Sequence, residues 1–112
     1  MKKFMVMYMA PVAEMQKMMQ AAPEQAKEGM KEWQKWMSDN KEHFADMGGS
    51  LGKIKRVTAD GATDMRNDMA GYSIIMAETQ DEATALFTKD QPHFQIPGGY
   101  VEIMEIVAMP SA

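Results

Sequence analysis

Apolar and polar positions set the first element at the very start of the chain. Phe4, Val6 and Tyr8 alternate with Met5, Met7 and Met9, so this segment reads as a β-strand whose two faces are both apolar and must both be covered. Pro11 closes it. Val12, Met15, Met18 and Met19 then fall at helical spacing and predict a short amphipathic helix over Val12 to Gln20. Pro23 followed by Glu24 opens a long helix, because proline lacks only a donor that is orphaned in the first turn and a carboxylate favours the positive helix end. Along it Ala26, Met30, Trp33, Met37, Phe44 and Met47 draw one apolar stripe, so the helix is expected to run to Met47 and stop at Gly48-Gly49.

The second half reads in the same way. Leu51 to Thr58 predicts a strand made basic by Lys53, Lys55 and Arg56, Asp60-Gly61 a turn, and the polar stretch through Asp64, Arg66, Asn67 and Asp68 a loop. Tyr72 to Glu78 alternates as a strand. Thr79-Gln-Asp-Glu fits a capping box at the head of a second helix through Ala83, Leu86 and Phe87. Asp90 to Gly99 holds two prolines and two glycines and predicts an ordered loop, and Tyr100 to Met109 alternates as the last strand. The order βαββαβ predicts an α+β fold of the ferredoxin-like type, an antiparallel sheet with both helices on one face, in a single domain over residues 1–112. The other face still carries Met, Ile, Val and Ala, whereas a soluble monomer seldom exposes an apolar patch above about 600 Å². A face-to-face homodimer is the simplest cover. The alternative is a monomer that folds its own Val12 to Gln20 segment and its 90s loop over the sheet.

Composition narrows the partners. The net charge of −4 removes counterion release as a general driving force, so no nucleic acid partner is expected. With no cysteine in the chain, thiolate chemistry and disulfides are excluded together. Lys2-Lys3 and the run Phe4 to Ala10 mimic a signal peptide, but the run is short and meets Pro11 directly, so a cytoplasmic protein is expected. No apolar stretch approaches the ~20 residues of a membrane helix, and no membrane association is expected. Fifteen methionines raise the question of copper, since Met5, Met7 and Met9 would align three soft thioethers on one strand face. Methionine fills cores and interfaces without any metal, and neither a zinc spacing nor a phosphate-binding glycine loop is present, so no cofactor or metal is expected.

The segments Lys3-Phe-Met-Val-Met-Tyr-Met, Gly29-Met-Lys-Glu-Trp, Gly52-Lys-Ile-Lys-Arg-Val-Thr-Ala-Asp-Gly, Gly71-Tyr-Ser-Ile and Asp90-Gln-Pro-His-Phe together resemble the YCII-related family, in particular its DGPF-type branch. The likeness covers nearly the whole chain. It implies a dimeric α+β barrel of ferredoxin-like protomers, with some relatives acting on small molecules such as chloromuconolactones through a histidine and an aspartate. The helix histidine of that pair has no counterpart near Met30 to Trp33, and His43 lies about three turns further on.

The matching loop leaves Asp90 and His93 as the candidate catalytic pair. A histidine titrates near neutrality and can act as acid or base, with Asp90 orienting it if the loop folds back. A histidine hydrogen-bonded within a rigid loop is the competing account. His43, near the end of the long helix, reads as a solvated cap. Tyr8, Tyr72 and Tyr100 lie on predicted strands and could line a pocket for a mostly apolar ligand, or pack the core. Arg56, with Lys53 and Lys55 together on the opposite strand face, could attract an acidic ligand, or stand on a solvated strand face. Two functions are consistent with these residues: binding or conversion of a small, partly apolar organic molecule between the long helix and the sheet, with His93 as acid or base, or a non-catalytic dimeric interaction or regulatory module.

Overall fold

Phe4, Val6 and Tyr8 are buried while Met5 and Met7 between them are half-buried, the period of two expected of a strand with one covered face. The structure is a computed structural model and describes residues 1–109. Along the chain the elements are β1 (Lys2–Met9), α1 (Val12–Met19), α2 (Pro23–Asp39), β2 (Phe44–Ser50), β3 (Ile54–Thr58), β4 (Gly61–Met65), β5 (Met69–Ala77), α3 (Gln80–Ala85) and β6 (Tyr100–Glu105), with 3₁₀ turns at Lys41–His43 and Pro92–Gln95. The fold is α+β. Four strands form an antiparallel sheet in the order β2-β5-β1-β6, and β3 and β4 form a separate two-stranded sheet.

The core lies on one face of the larger sheet. Phe4, Val6 and Tyr8 of β1 pack with Ile75 and Ala77 of β5 and with Ala83 of α3, and Trp33 of α2, Phe44, Leu86, Phe87, Val101 and Ile103 close around them. On the opposite face Met5 stands between Ile74 and Met104, and Met7 between Tyr72 and Glu102. Met9 departs from the alternation: the register of β1 against β5 shifts between Tyr8 and Met9, and Met9 is buried with the core.

Four segments differ from their sequence-based assignment. The long helix ends at Asp39, about two turns before Met47. The Asn40 side-chain amide donates to the Trp36 carbonyl at 2.8 Å, beside the Asn40 backbone N–H at 3.2 Å, a local side-chain bond that competes with a further helical turn. Phe44–Ser50 therefore becomes the strand that pairs with β5, and His43 sits in the intervening 3₁₀ turn, 3.6 Å from Glu42. Gly48-Gly49 does not end a helix. It forms a bulge in this edge strand: Gly48 has φ of +71°, and a Cβ there would overlap the Tyr72 carbonyl oxygen.

The second correction concerns Leu51 to Thr58. Its ordered part is β3, and it pairs not with the main sheet but with β4, which lies within the polar stretch read as a loop. The Asp60-Gly61 turn joins them as expected, with Gly61 at φ +133°. Lys55 and Asp64 face each other across the hairpin and form an ion pair at 2.7 Å. The third is the last strand, which ends at Glu105 rather than Met109. Glu105 pairs with Phe4 and the Ile106 amide reaches the Lys3 carbonyl, where β1 itself runs out. Helix α3 likewise stops at Ala85, just short of Leu86 and Phe87.

Candidate functional site

His93 sits where two local devices meet. Gln91 precedes Pro92 at the head of a 3₁₀ turn, and its side-chain oxygen accepts the His93 backbone N–H at 2.5 Å. Pro92 fits there because its fixed φ suits the first turn. Gly98, at φ +73°, turns the loop back, and a Cβ on Gly99 would press on the His93 and Ile96 carbonyl oxygens. The loop thereby delivers the imidazole to the end of β1. His93 Nε2 lies 2.6 Å from the Met9 carbonyl oxygen, at the register shift of that strand. A carbonyl only accepts, so Nε2 carries the proton in this bond.

The ring is buried, 3% exposed, and packs at centroid distances of 5.5 Å from Tyr8 and 6.3 Å from Trp33. Burial lowers its pKa below the ordinary value, outweighing the backbone bonds to Met9 and Tyr100 that favour the charged form. The imidazole is accordingly neutral at pH 7. Asp90 is exposed on the surface, and His93 is held by Gln91, Met9 and Tyr100 rather than by it.

A second buried polar group adjoins this one. Ser73 Oγ donates to the Met47 carbonyl at 2.8 Å, so the Tyr8 hydroxyl, 3.1 Å away, is the donor of their mutual bond. Desolvation raises the Tyr8 pKa, and the bond to Ser73 works against that rise. Tyr8 also meets Trp33 edge-on at 5.0 Å, and Trp36 meets Phe87 and Phe44 at 5.3 and 5.6 Å. The space between α2 and the sheet, expected to be a cleft, is thus occupied by aromatic rings. The Gln91 side-chain amide nitrogen is buried without a hydrogen-bond partner among the described residues.

The open space lies elsewhere. A cleft of about 600 Å³ separates α1 from the β3–β4 hairpin. Met15 and Met19 come from one side and Ile54, Met65 and Met69 from the other; Lys53, Lys55, Asp64 and Arg66 also line it. Amphipathic spacing on α1 points Met15 and Met19 the same way, and the hairpin presents its less solvated residues, Ile54 and Met65, to them.

The remaining candidates are dispersed. Tyr8 faces the core, Tyr72 stands on the opposite sheet face, and Tyr100 is exposed at the start of β6, so the three tyrosines line no common pocket. Arg56 is exposed on β3 opposite Thr63 and does not line the cleft. Gln91, Ser73, Met65 and Met69 were not singled out by sequence reasoning. Ser73 carried a signal, a polar residue at a core position of an alternating strand. Gln91 carried a weaker one, an amide placed to cap a turn that begins at proline. Among the described residues no three His, Asp or Glu side chains gather as a metal site, and no helix is long and apolar enough to cross a membrane. No family profile matches the chain, and no curated protein is similar to it.

Proposed function

We propose that the chain is a ferredoxin-like protomer of the YCII type that forms a homodimer and binds a small, partly apolar organic molecule. The observation that carries the binding reading is the methionine-lined cleft of about 600 Å³, a size within the ordinary range of small-molecule sites. The strand order β2-β5-β1-β6 supports the ferredoxin-like reading. Pairing through the open sheet face draws support from shape as well as composition. The molecule measures 48 × 45 × 20 Å with a radius of gyration of 15.7 Å. A self-contained domain of this length would have about 13 Å. A second copy laid on Met5, Met7, Tyr72, Ile74 and Met76 would thicken the slab and remove these half-buried apolar side chains from water.

Conversion of the ligand, with His93 as acid or base and Asp90 beside it in the loop, belongs to the same reading. The neutral imidazole supports it, and Met9, which holds the ring, lies three residues before Val12 of the cleft. One observation favours the second reading, a non-catalytic interaction or regulatory module: His93 is sealed under Trp33 with Nε2 already engaged.

Native mass spectrometry and a titration with Nile red, a neutral apolar dye, test the proposal together. A dimer that binds the dye saturably at one site per chain, with binding lost in Met15→Glu, is the expected result. A monomer would refute the pairing of open faces. Dye uptake that does not saturate, or that survives Met15→Glu, would refute the cleft as the site.

A further inference from the structure

We infer that the cleft between α1 and the β3–β4 hairpin takes a soluble, unbranched alkyl carboxylate, with its head at Lys53 and Arg66 and its tail among the methionines. The inference rests on the binding reading above and adds the charge and shape of the ligand.

Charge comes first. Three cations, Lys53, Lys55 and Arg66, line the cleft against one carboxylate, Asp64. Asp64 is taken by Lys55 at 2.7 Å, whereas Lys53 and Arg66 form no ion pair among the described residues. This local excess of positive charge stands in a chain whose net charge is −4, so the cleft has the opposite sign to the protein around it. A small anion is attracted to such a spot. An anionic membrane surface, which would meet the whole protein, is repelled by the remainder.

Shape follows from the walls. The apolar lining consists of methionine, leucine, isoleucine and valine with no aromatic ring. Thioether chains have three rotatable bonds and adapt to a flexible partner, whereas planar ligands are usually held against rings. The hydrogen bond from the Met69 N–H to Asn67 Oδ1 at 3.0 Å keeps that part of the wall's backbone satisfied, so a tail need supply no polar group there.

Calorimetric titration of the 112-residue chain with octanoate, hexanoate, octan-1-ol and octyltrimethylammonium tests the inference. Octanoate is expected to bind about fivefold more tightly than octan-1-ol, the scale of partly solvated charge pairs. It should bind about fifteenfold more tightly than hexanoate, since it buries two further methylenes and each is worth about fourfold when fully buried. The double variant K53Q/R66Q, on exposed side chains, should bring octanoate down to the affinity that the same variant has for octan-1-ol, with the circular dichroism spectrum preserved. Equal affinity of octanoate and octan-1-ol in the native protein would overturn the inference while leaving apolar binding intact. Preference for the ammonium compound, or a carboxylate preference that persists in K53Q/R66Q, would also overturn it. Absence of binding by every compound would overturn the inference and the binding reading together.

Discussion

Replacing His93 by leucine should separate its structural role from its titration. Leucine fills much of the same volume but removes the donor that the Met9 carbonyl oxygen uses at 2.6 Å, leaving a buried acceptor unsatisfied. Such a loss costs about 1–3 kcal/mol. For a domain of this size it corresponds to a fall in Tm of roughly 4–12 °C, measured at fixed protein concentration. His93→Gln, whose amide can donate from nearly the position of Nε2, should recover at least half of it. The pH dependence has a definite sign. Burial lowers the folded-state pKa below the ordinary 6.5, so between the two values the unfolded chain binds more protons than the native one. The stability owed to neutral His93 is therefore complete above about pH 6.5, falls as the pH drops through that value, and levels off below the folded-state pKa. Urea unfolding followed by Trp33 and Trp36 fluorescence at pH 8 and pH 5 reads both effects. The gap between native protein and His93→Leu should narrow at pH 5. A gap that widens in acid, or a glutamine variant as unstable as the leucine one, would refute the assignment of His93 as a neutral donor to Met9.

Two glycines make an opposed pair. Gly48→Ala, at φ +71° with its Cβ against the Tyr72 carbonyl, should destabilise by about 2–4 kcal/mol in thermal unfolding. Gly29→Ala, in α2 with nothing near its Cβ, should stabilise by up to about 1 kcal/mol in the same assay. Thr79→Ala removes the hydroxyl that accepts the Glu82 N–H at 3.1 Å and should cost about 1 kcal/mol, with serine restoring it. Met5→Glu combined with Met7→Glu should convert the proposed dimer to monomer by light scattering, and a double variant that remains dimeric would show that the pairing uses another surface.

What could be read from the sequence was the information carried by near neighbours. The two-residue alternation of β1, the helical spacing of α1, Pro23 at the start of α2 and the Thr79 cap of α3 each follow from residues within a turn or two of one another. The capping glutamate shows how local the rule is, since its side chain reaches the Glu78 N–H, one residue before the cap. His93 was likewise visible as a residue of interest because its loop is so constrained by proline and glycine. The end of α2 was not, because the apolar stripe through Phe44 and Met47 has the same period whether the chain continues as helix or leaves it. Phe44 meets the core from a strand instead, and the choice falls to the free hydrogen-bonding edge of β5, which lies some thirty residues further along.

The site was settled at still longer range. His93 finds its acceptor on Met9 at the point where β1 shifts register against β5, and Tyr8 finds Ser73 only once those strands are paired. The cleft arises because β3 pairs with β4 away from the main sheet, leaving space against α1. Hydrophobic period and caps are properties of a segment, and the chain carries them wherever it goes. Pairing partners, register and empty space are properties of two segments brought together, and only the folded molecule decides them.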